Sequence, residues 1–128
     1  MNNIEIPATN RTPAVSFDLE VGHLRIKGES YPEDVTTFYY PLFDALKAWL
    51  GETKTPSCQF DFELIYFNSS SAKAIMIMME MLDAAAANGM DVVVNWFHDA
   101  EDETMEELGE EFGEDLIHAK FNLEKLST

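Results

Sequence analysis

The sequence predicts an α/β fold: a single domain over residues 1–128, built as a mixed β-sheet with an N-terminal hairpin and about three helices packed on it. Three observations carry that prediction. Apolar residues alternate at strand period near the start, then change to helical spacing after residue 35. From there strand-like and helix-like segments take turns to the end. Finally, 46% apolar residues in 128 are enough for one sizeable core, whereas two half-length domains would each bury a centre poorly.

Residues 1–13 mix polar side chains with Pro7 and Pro13 and read as an irregular N-terminal arm. From Ala14 to Glu20, Val15, Phe17 and Leu19 share one face; from His23 to Gly28, Leu24 and Ile26 do the same. With Val21-Gly22 between them, the two runs form a hairpin. Gly28 to Asp34 reads as a loop, because Pro32 disfavours helix at Tyr31. Helical spacing begins at Val35, and Pro41 should kink that helix or restart it. Leu42, Phe43, Leu46, Trp49 and Leu50 form its inner stripe, with Gly51 as its stop and a short loop around Pro56.

Cys58, Phe60, Phe62, Leu64 and Tyr66 alternate with Gln59, Asp61 and Glu63, and the run ends with Ile65 and Phe67 on the other parity, as in a strand entering the sheet centre. Ala72 to Asn88 is rich in strong helix formers and closes at Gly89. Asp91 to Phe97 has the Val-rich composition of a strand buried on both faces. Asp102 to Asp115 is an amphipathic helix with Met105, Leu108 and Phe112 inward. Phe121 and Leu123 suggest a last short strand. The strand-helix-strand units imply right-handed parallel crossovers.

Charge narrows the functional classes. Eight Lys plus Arg against 24 Asp plus Glu give −16, which opposes phosphate neutralisation and anionic membranes alike. Nucleic acid and membrane insertion are therefore not expected. No run of 18 apolar residues occurs, Met1 to Pro7 lacks the pattern of a signal peptide, and the lone Cys58 fits a reducing compartment. These features predict a cytoplasmic protein with protein partners.

The most informative junction is Asn68-Ser69-Ser70-Ser71 between a strand and a helix. A helix start leaves N–H groups unpaired and favours negative charge. Asn68 or a serine can cap it, and spacing alone leaves open whether the run is only a cap or also a phosphorylation site. A catalytic serine is disfavoured: the flanks, Phe67-Asn68 and Ala72-Lys73, lack the glycines of a nucleophile elbow, and His23, His98 and His118 offer no evident base.

The run from Asp99 to Asp115 holds ten carboxylates and no base, but Thr104 stands where a calcium loop needs glycine, so it reads as a solvated helix face. No metal and no cofactor is expected. Among Met76, Met78, Met79 and Met81 some must be exposed, because four cannot share one stripe; Ile75, Met79 and Leu82 read as core. Cys58 has no basic neighbour in sequence and reads as a structural thiol.

At the serine junction the chain resembles STAS-type domains of anti-sigma-factor antagonists. It is more closely similar to the SiaC family of bacterial regulatory phosphoproteins. The resemblance rests on Thr12-Pro13 before the hairpin, Gly28-Glu29-Ser30-Tyr31-Pro32-Glu33, Tyr66 through Ser71, Trp96 at a strand end, and Glu107-Leu108-Gly109-Glu110-Glu111-Phe112. It implies a STAS-like fold without catalytic residues or enzymatic activity of its own. It also implies phosphorylation at Ser69, ahead of Ser70 and Ser71, by a Ser/Thr kinase, and reversal by a PP2C-type phosphatase. The unphosphorylated form would bind and activate a diguanylate cyclase, raising cyclic-di-GMP and favouring biofilm.

Asn68 and Lys73 would support the phosphorylated loop, and Ser30, Tyr31, Pro32, Glu33 and Asp34 would offer a docking surface. The chain departs from the family pattern with Ser69 in place of Thr, Asp34 in place of Asn, and Ala119-Lys120-Phe121 in place of a Pro-Phe ending. The alternatives are an anti-sigma-factor antagonist in a stress response and, from another class, a small serine hydrolase.

Overall fold

The computed structural model describes residues 3–52 and 57–126. Nine elements follow one another: β1 (Ile4–Ile6), β2 (Ala14–Asp18), β3 (His23–Ser30), α1 (Val35–Glu52), β4 (Ser57–Phe67), α2 (Ser69–Ala87), β5 (Asp91–Asp99), α3 (Glu103–Glu114) and β6 (Lys120–Leu126). The loop expected around Pro56 lies outside the described residues, apart from Ser57, which begins β4.

The six strands lie in the sheet in chain order. The first two pairings are antiparallel and the last three parallel, as hairpin and crossover connections respectively require. Three crossovers that step the same way across a sheet, each right-handed, put all three helices on one face. The burial pattern agrees: Leu24, Ile26, Phe60, Phe62, Val92, Val94 and Trp96 all turn to that face and are buried there against α1 and α2 residues such as Leu46, Ile75 and Leu82.

The sheet's other face is polar. Register sets Arg25 opposite Asp61, Asp61 opposite Asn95, and Asn95 opposite Asn122, so a row of polar side chains crosses four strands. Asn95 Nδ2 donates to Asp61 at 2.9 Å, Asn122 Nδ2 donates to Asn95 at 3.0 Å, and His23 Nε2 meets Asp61 at 2.7 Å. Burial opposes ionisation of Asp61, yet bonds from His23, Asn95 and Gln59 outweigh it and hold the carboxyl below the usual range.

Five expectations need correction. The arm is not irregular throughout, since Ile4–Ile6 pairs with β2, setting Ile4 opposite Phe17 and Ile6 opposite Val15; three residues between polar neighbours give too short a pattern to read alone. The loop after the hairpin starts late, because β3 continues through Gly28 to Ser30 beside β4. Of the two readings at Pro41 the restart is overturned, because α1 runs unbroken from Val35 to Glu52 with Pro41 inside it. Proline there removes one N–H from the helix ladder, and its exposed position leaves the freed Thr37 carbonyl to water. α1, the helix of the first crossover, also runs one residue past Gly51, to Glu52. Finally, β5 is fully buried only on the helix face, and Val93, Asn95 and Phe97 are half-buried on the other.

Candidate functional site

The site is built where the C-terminal ends of β3 and β4 meet the N-terminus of α2. In β4 the alternation that buries Phe60, Phe62 and Leu64 breaks at Ile65. The pairing with β3 shifts register between Gly28 and Glu29, so that Leu64 faces Gly28 and Tyr66 faces Glu29, leaving Ile65 as an extra residue. Such a bulge re-aims the chain next to functional sites. Here it exposes both Ile65 and Tyr66 and returns Phe67 to the core, directly before the turn. Gly28 accommodates the irregularity with φ of 125°, a region open to glycine.

Asn68 then caps α2. Its backbone is extended, and its side-chain oxygen accepts the Ser71 N–H at 2.9 Å. Its own N–H donates to the Ser30 carbonyl at 3.2 Å, fastening the turn to the end of β3. The three serines therefore occupy the first turn of the helix, three residues earlier than the composition suggested. They divide sharply. Ser69 and Ser70 are exposed, whereas Ser71 is fully buried. Ser71 Oγ lies 2.8 Å from Ser30 Oγ, which also bonds the Tyr39 hydroxyl on α1. Burial raises the Tyr39 pKa, its bonds to Ser30 and Ser71 opposing, so the phenol stays protonated through the neutral range.

Lys73 is exposed one turn after Ser69, on the same side of α2. Among the described residues it has no carboxylate within ion-pair distance. Of the expected docking residues, Tyr31 and Pro32 are half-buried and Glu33 and Asp34 are exposed. Ser30 is the exception and a correction: as the last residue of β3 it shares the parity of Leu24 and Ile26 and turns inward, so it cannot contact a partner.

Asp34 caps α1, accepting from the Thr37 N–H at 3.1 Å and the Thr37 hydroxyl at 2.8 Å, and the hydroxyl bond leads the effects that lower its pKa. Arg11 was missed by the sequence reading. It stands 5.4 Å over the Tyr31 ring, pairs with Glu33 at 3.3 Å, and its carbonyl accepts the Tyr31 N–H at 2.8 Å. Tyr31 in turn packs edge-on against Tyr66 at 5.8 Å. Nothing in local spacing signals these contacts, which join segments 20 and 35 residues apart.

Two of the three histidines, His23 and His98, are occupied elsewhere. His23 begins β3, about 23 Å along the strand from Ser30, and serves Asp61. His98 is buried, with Nδ1 at 2.8 Å from the Asp99 carbonyl and Nε2 at 3.8 Å from Glu106. The site as built presents an exposed hydroxyl at the positive end of a helix, held by a capping amide, with a lysine one turn on.

The chain as a whole has known relatives. The family model described as SiaC family regulatory phosphoprotein matches residues 6–126. The chain belongs to the SiaC family. An uncharacterized protein of Pseudomonas aeruginosa strain UCBPP-PA14 is 36% identical over 115 residues, which cover 90% of each chain. Apo-SiaC from Pseudomonas aeruginosa superposes with a TM-score of 0.88 at 32% identity, covering 97% of this chain and 99% of that one. SiaC in complex with the diguanylate cyclase SiaD, of which it is the activator, superposes at 0.90 and 32% identity, covering 96% and 99%. The family is thus one of regulatory phosphoproteins, and the six-stranded α/β architecture is shared with its solved members. Among the described residues, no helix is long and apolar enough to cross a membrane.

Proposed function

We propose that this chain is a non-enzymatic, cytoplasmic, phosphorylation-gated regulator whose unphosphorylated form binds and activates a diguanylate cyclase. A Ser/Thr kinase modifies Ser69, a PP2C-type phosphatase reverses it, and all of residues 1–128 act as one domain. The observation that carries the reading is the contrast within one turn: Ser69 is exposed at the head of α2, while Ser71 is sealed in the core. Phosphate on Ser69 adds about −1.5 to −2 charge at a helix N-terminus, where it is stabilised. The same charge disfavours any partner that needs a dry contact there. Membership in a family of regulatory phosphoproteins supports this, as does the cyclase bound by a structural relative.

The test combines two measurements. Mass spectrometry of the protein from its own host should map one phosphate to Ser69. Purified Ser69→Ala should bind and stimulate the host cyclase as the unmodified chain does, and Ser69→Asp should do neither. Tight binding by the Asp variant would sink the switch.

A further inference from the structure

The two edges of the sheet are finished differently. β1 is three residues long and runs into Pro7, which has no N–H to give a further strand. β6 is seven residues long, contains no proline, and pairs with β5 in unbroken register from Lys120 to Leu126. Among the described residues no strand takes its other side. Such an edge points the N–H and C=O groups of alternate residues outward, and natural edges of this length are commonly blunted by lysines, a bulge or a cover. β6 instead carries both signs of charge, in Lys120, Glu124 and Lys125.

α3 comes down on one face of β6, where Gly109 and Gly113 lie against Leu123 and Phe121. Lys120, Asn122 and Glu124 have the opposite parity and stand on the polar face of the sheet. Two copies pairing β6 antiparallel about a two-fold axis normal to the sheet set residue i opposite residue j with a constant, even sum. With Asn122 at the centre the pairs are complementary. Lys120 meets Glu124 of the second copy on the polar face, Phe121 meets Leu123 on the helix face, and each pair occurs twice. Lys125 of the second copy falls opposite Ala119, at the end of β6 over which α3 finishes in Glu110, Glu111 and Glu114. Neighbouring registers lose this match. Centring on Leu123 sets Lys120 against Leu126 and Phe121 against Lys125, and centring on Glu124 sets that carboxylate against itself.

The row of amides on the polar face leads to the same register. Asp61 is a carboxylate and only accepts, so Asn95 donates its Nδ2 to it, and Asn95 Oδ1 accepts from Asn122 Nδ2 at 3.0 Å. Asn122 Oδ1 and its second N–H stand outside that chain of bonds. Facing its own copy across the axis, the amide can pair reciprocally, each N–H donating to the other's oxygen. The polar row then continues from one sheet into the next.

We propose that β6 is a dimerisation edge: a second copy of this chain pairs with it antiparallel, centred on Asn122, and joins the two sheets into one. The proposal is independent of the switch reading, since Ser69 follows β4, two strands inward. Five residues a side make a small interface, so the dimer is weak and depends on concentration.

The test is sedimentation equilibrium of the full, unphosphorylated chain over a range of concentrations, with circular dichroism confirming the fold of each variant. The parent should pass from monomer to dimer in the micromolar range. Lys120→Glu and Glu124→Lys, both at exposed positions, each turn two attractive pairs into like-charge pairs and should weaken the dimer about tenfold or more. An equimolar mixture of the two variants should return to within about threefold of the parent, because both pairs are again opposite in sign. Net charge alone predicts otherwise. Lys120→Glu takes the chain from −16 to −18 (−16 − 2) and Glu124→Lys takes it to −14 (−16 + 2), so the first would weaken association and the second strengthen it. That outcome would overturn the proposal, as would a parent that stays monomeric up to about 0.3 mM. A dimer retained by both single variants would place the contact on another surface and overturn the edge. Weakening by both without rescue in the mixture would overturn the Asn122 register.

Discussion

Gly51 and Gly109 both sit inside helices, α1 and α3, so helix propensity alone favours alanine at each by about 1 kcal/mol. The structure predicts opposite outcomes. Among the described residues, beyond its own helix backbone and chain neighbours, a Cβ at Gly51 would meet no atom within 4 Å. Gly51→Ala should therefore stabilise the fold, by about 0.5 kcal/mol so close to a helix end. A Cβ at Gly109 would lie 2.7 Å from Trp96 Nε1 and 2.8 Å from Leu123 Cδ1.

Trp96 cannot retreat. It is fully buried, packed against Phe62, Phe67 and Phe112, and its Nε1 donates to the Met105 carbonyl at 3.0 Å. Overpacking of this kind costs about 1–3 kcal/mol and the displaced hydrogen bond about 1 more. After the propensity gain, Gly109→Ala should lose about 2 kcal/mol. Urea unfolding followed by circular dichroism reads both. With a slope near 2 kcal/mol per molar, the midpoint should fall by about 1 M for Gly109→Ala and rise slightly for Gly51→Ala. A Gly109→Ala midpoint within 0.2 M of the parent would refute the packing argument, since it would mean α3 can lift from Trp96 at little cost.

Three further outcomes follow from buried and half-buried polar groups. Ser30→Ala removes the hydroxyl bonded to both Tyr39 and Ser71, and should cost about 1–2 kcal/mol in the same urea assay, more than Ser71→Ala. Asp83 accepts the N–H groups of Ile117, His118 and Ala119 at 3.0, 2.8 and 2.9 Å, so Asp83→Ala should cost about 1–2 kcal/mol at pH 7. Burial opposes ionisation of Asp83, but those three bonds prevail and its pKa is lowered. Its contribution is thus fully present above the unfolded carboxylate pKa near 4 and disappears as pH falls through the folded value, so parent and variant should converge in acid titrations. Burial pushes the Cys58 thiol up to about 12 from 9.0. The native protein should then resist iodoacetamide at pH 8, and stability should decline as pH rises from about 9 towards 12, while rapid native labelling would contradict the buried placement.

The sequence by itself determined the order and type of most elements. Period-two runs such as Val15–Leu19 and Phe60–Leu64, and the Met- and Ala-rich stretch of α2, carry their own conformational preference, because side-chain spacing and rotamer freedom act locally. That a cap lies within Asn68–Ser71 was legible for the same reason, since its bond spans three residues, while the structure decides that Asn68 and not a serine supplies it. Asp102 likewise caps α3 by accepting from Met105.

Tertiary structure decided what depends on neighbours distant in the chain. The strand Ile4–Ile6 exists because β2 presents a free edge, not because three residues prefer extension. Ser30 belongs to the core rather than to a docking loop because its hydroxyl finds Ser71, 41 residues away, and Tyr39 on the helix between them. The same packing fixes Ser69 outside and Ser71 inside, a distinction three identical residues cannot carry themselves. Asp61, one of several acids on a polar strand face, is buried because His23 and Asn95 converge on it from both neighbouring strands. Local periodicity states which residues share a face; only the packed sheet and helices decide what each face meets, because burial and hydrogen bonding are satisfied between segments that spacing along the chain does not bring together.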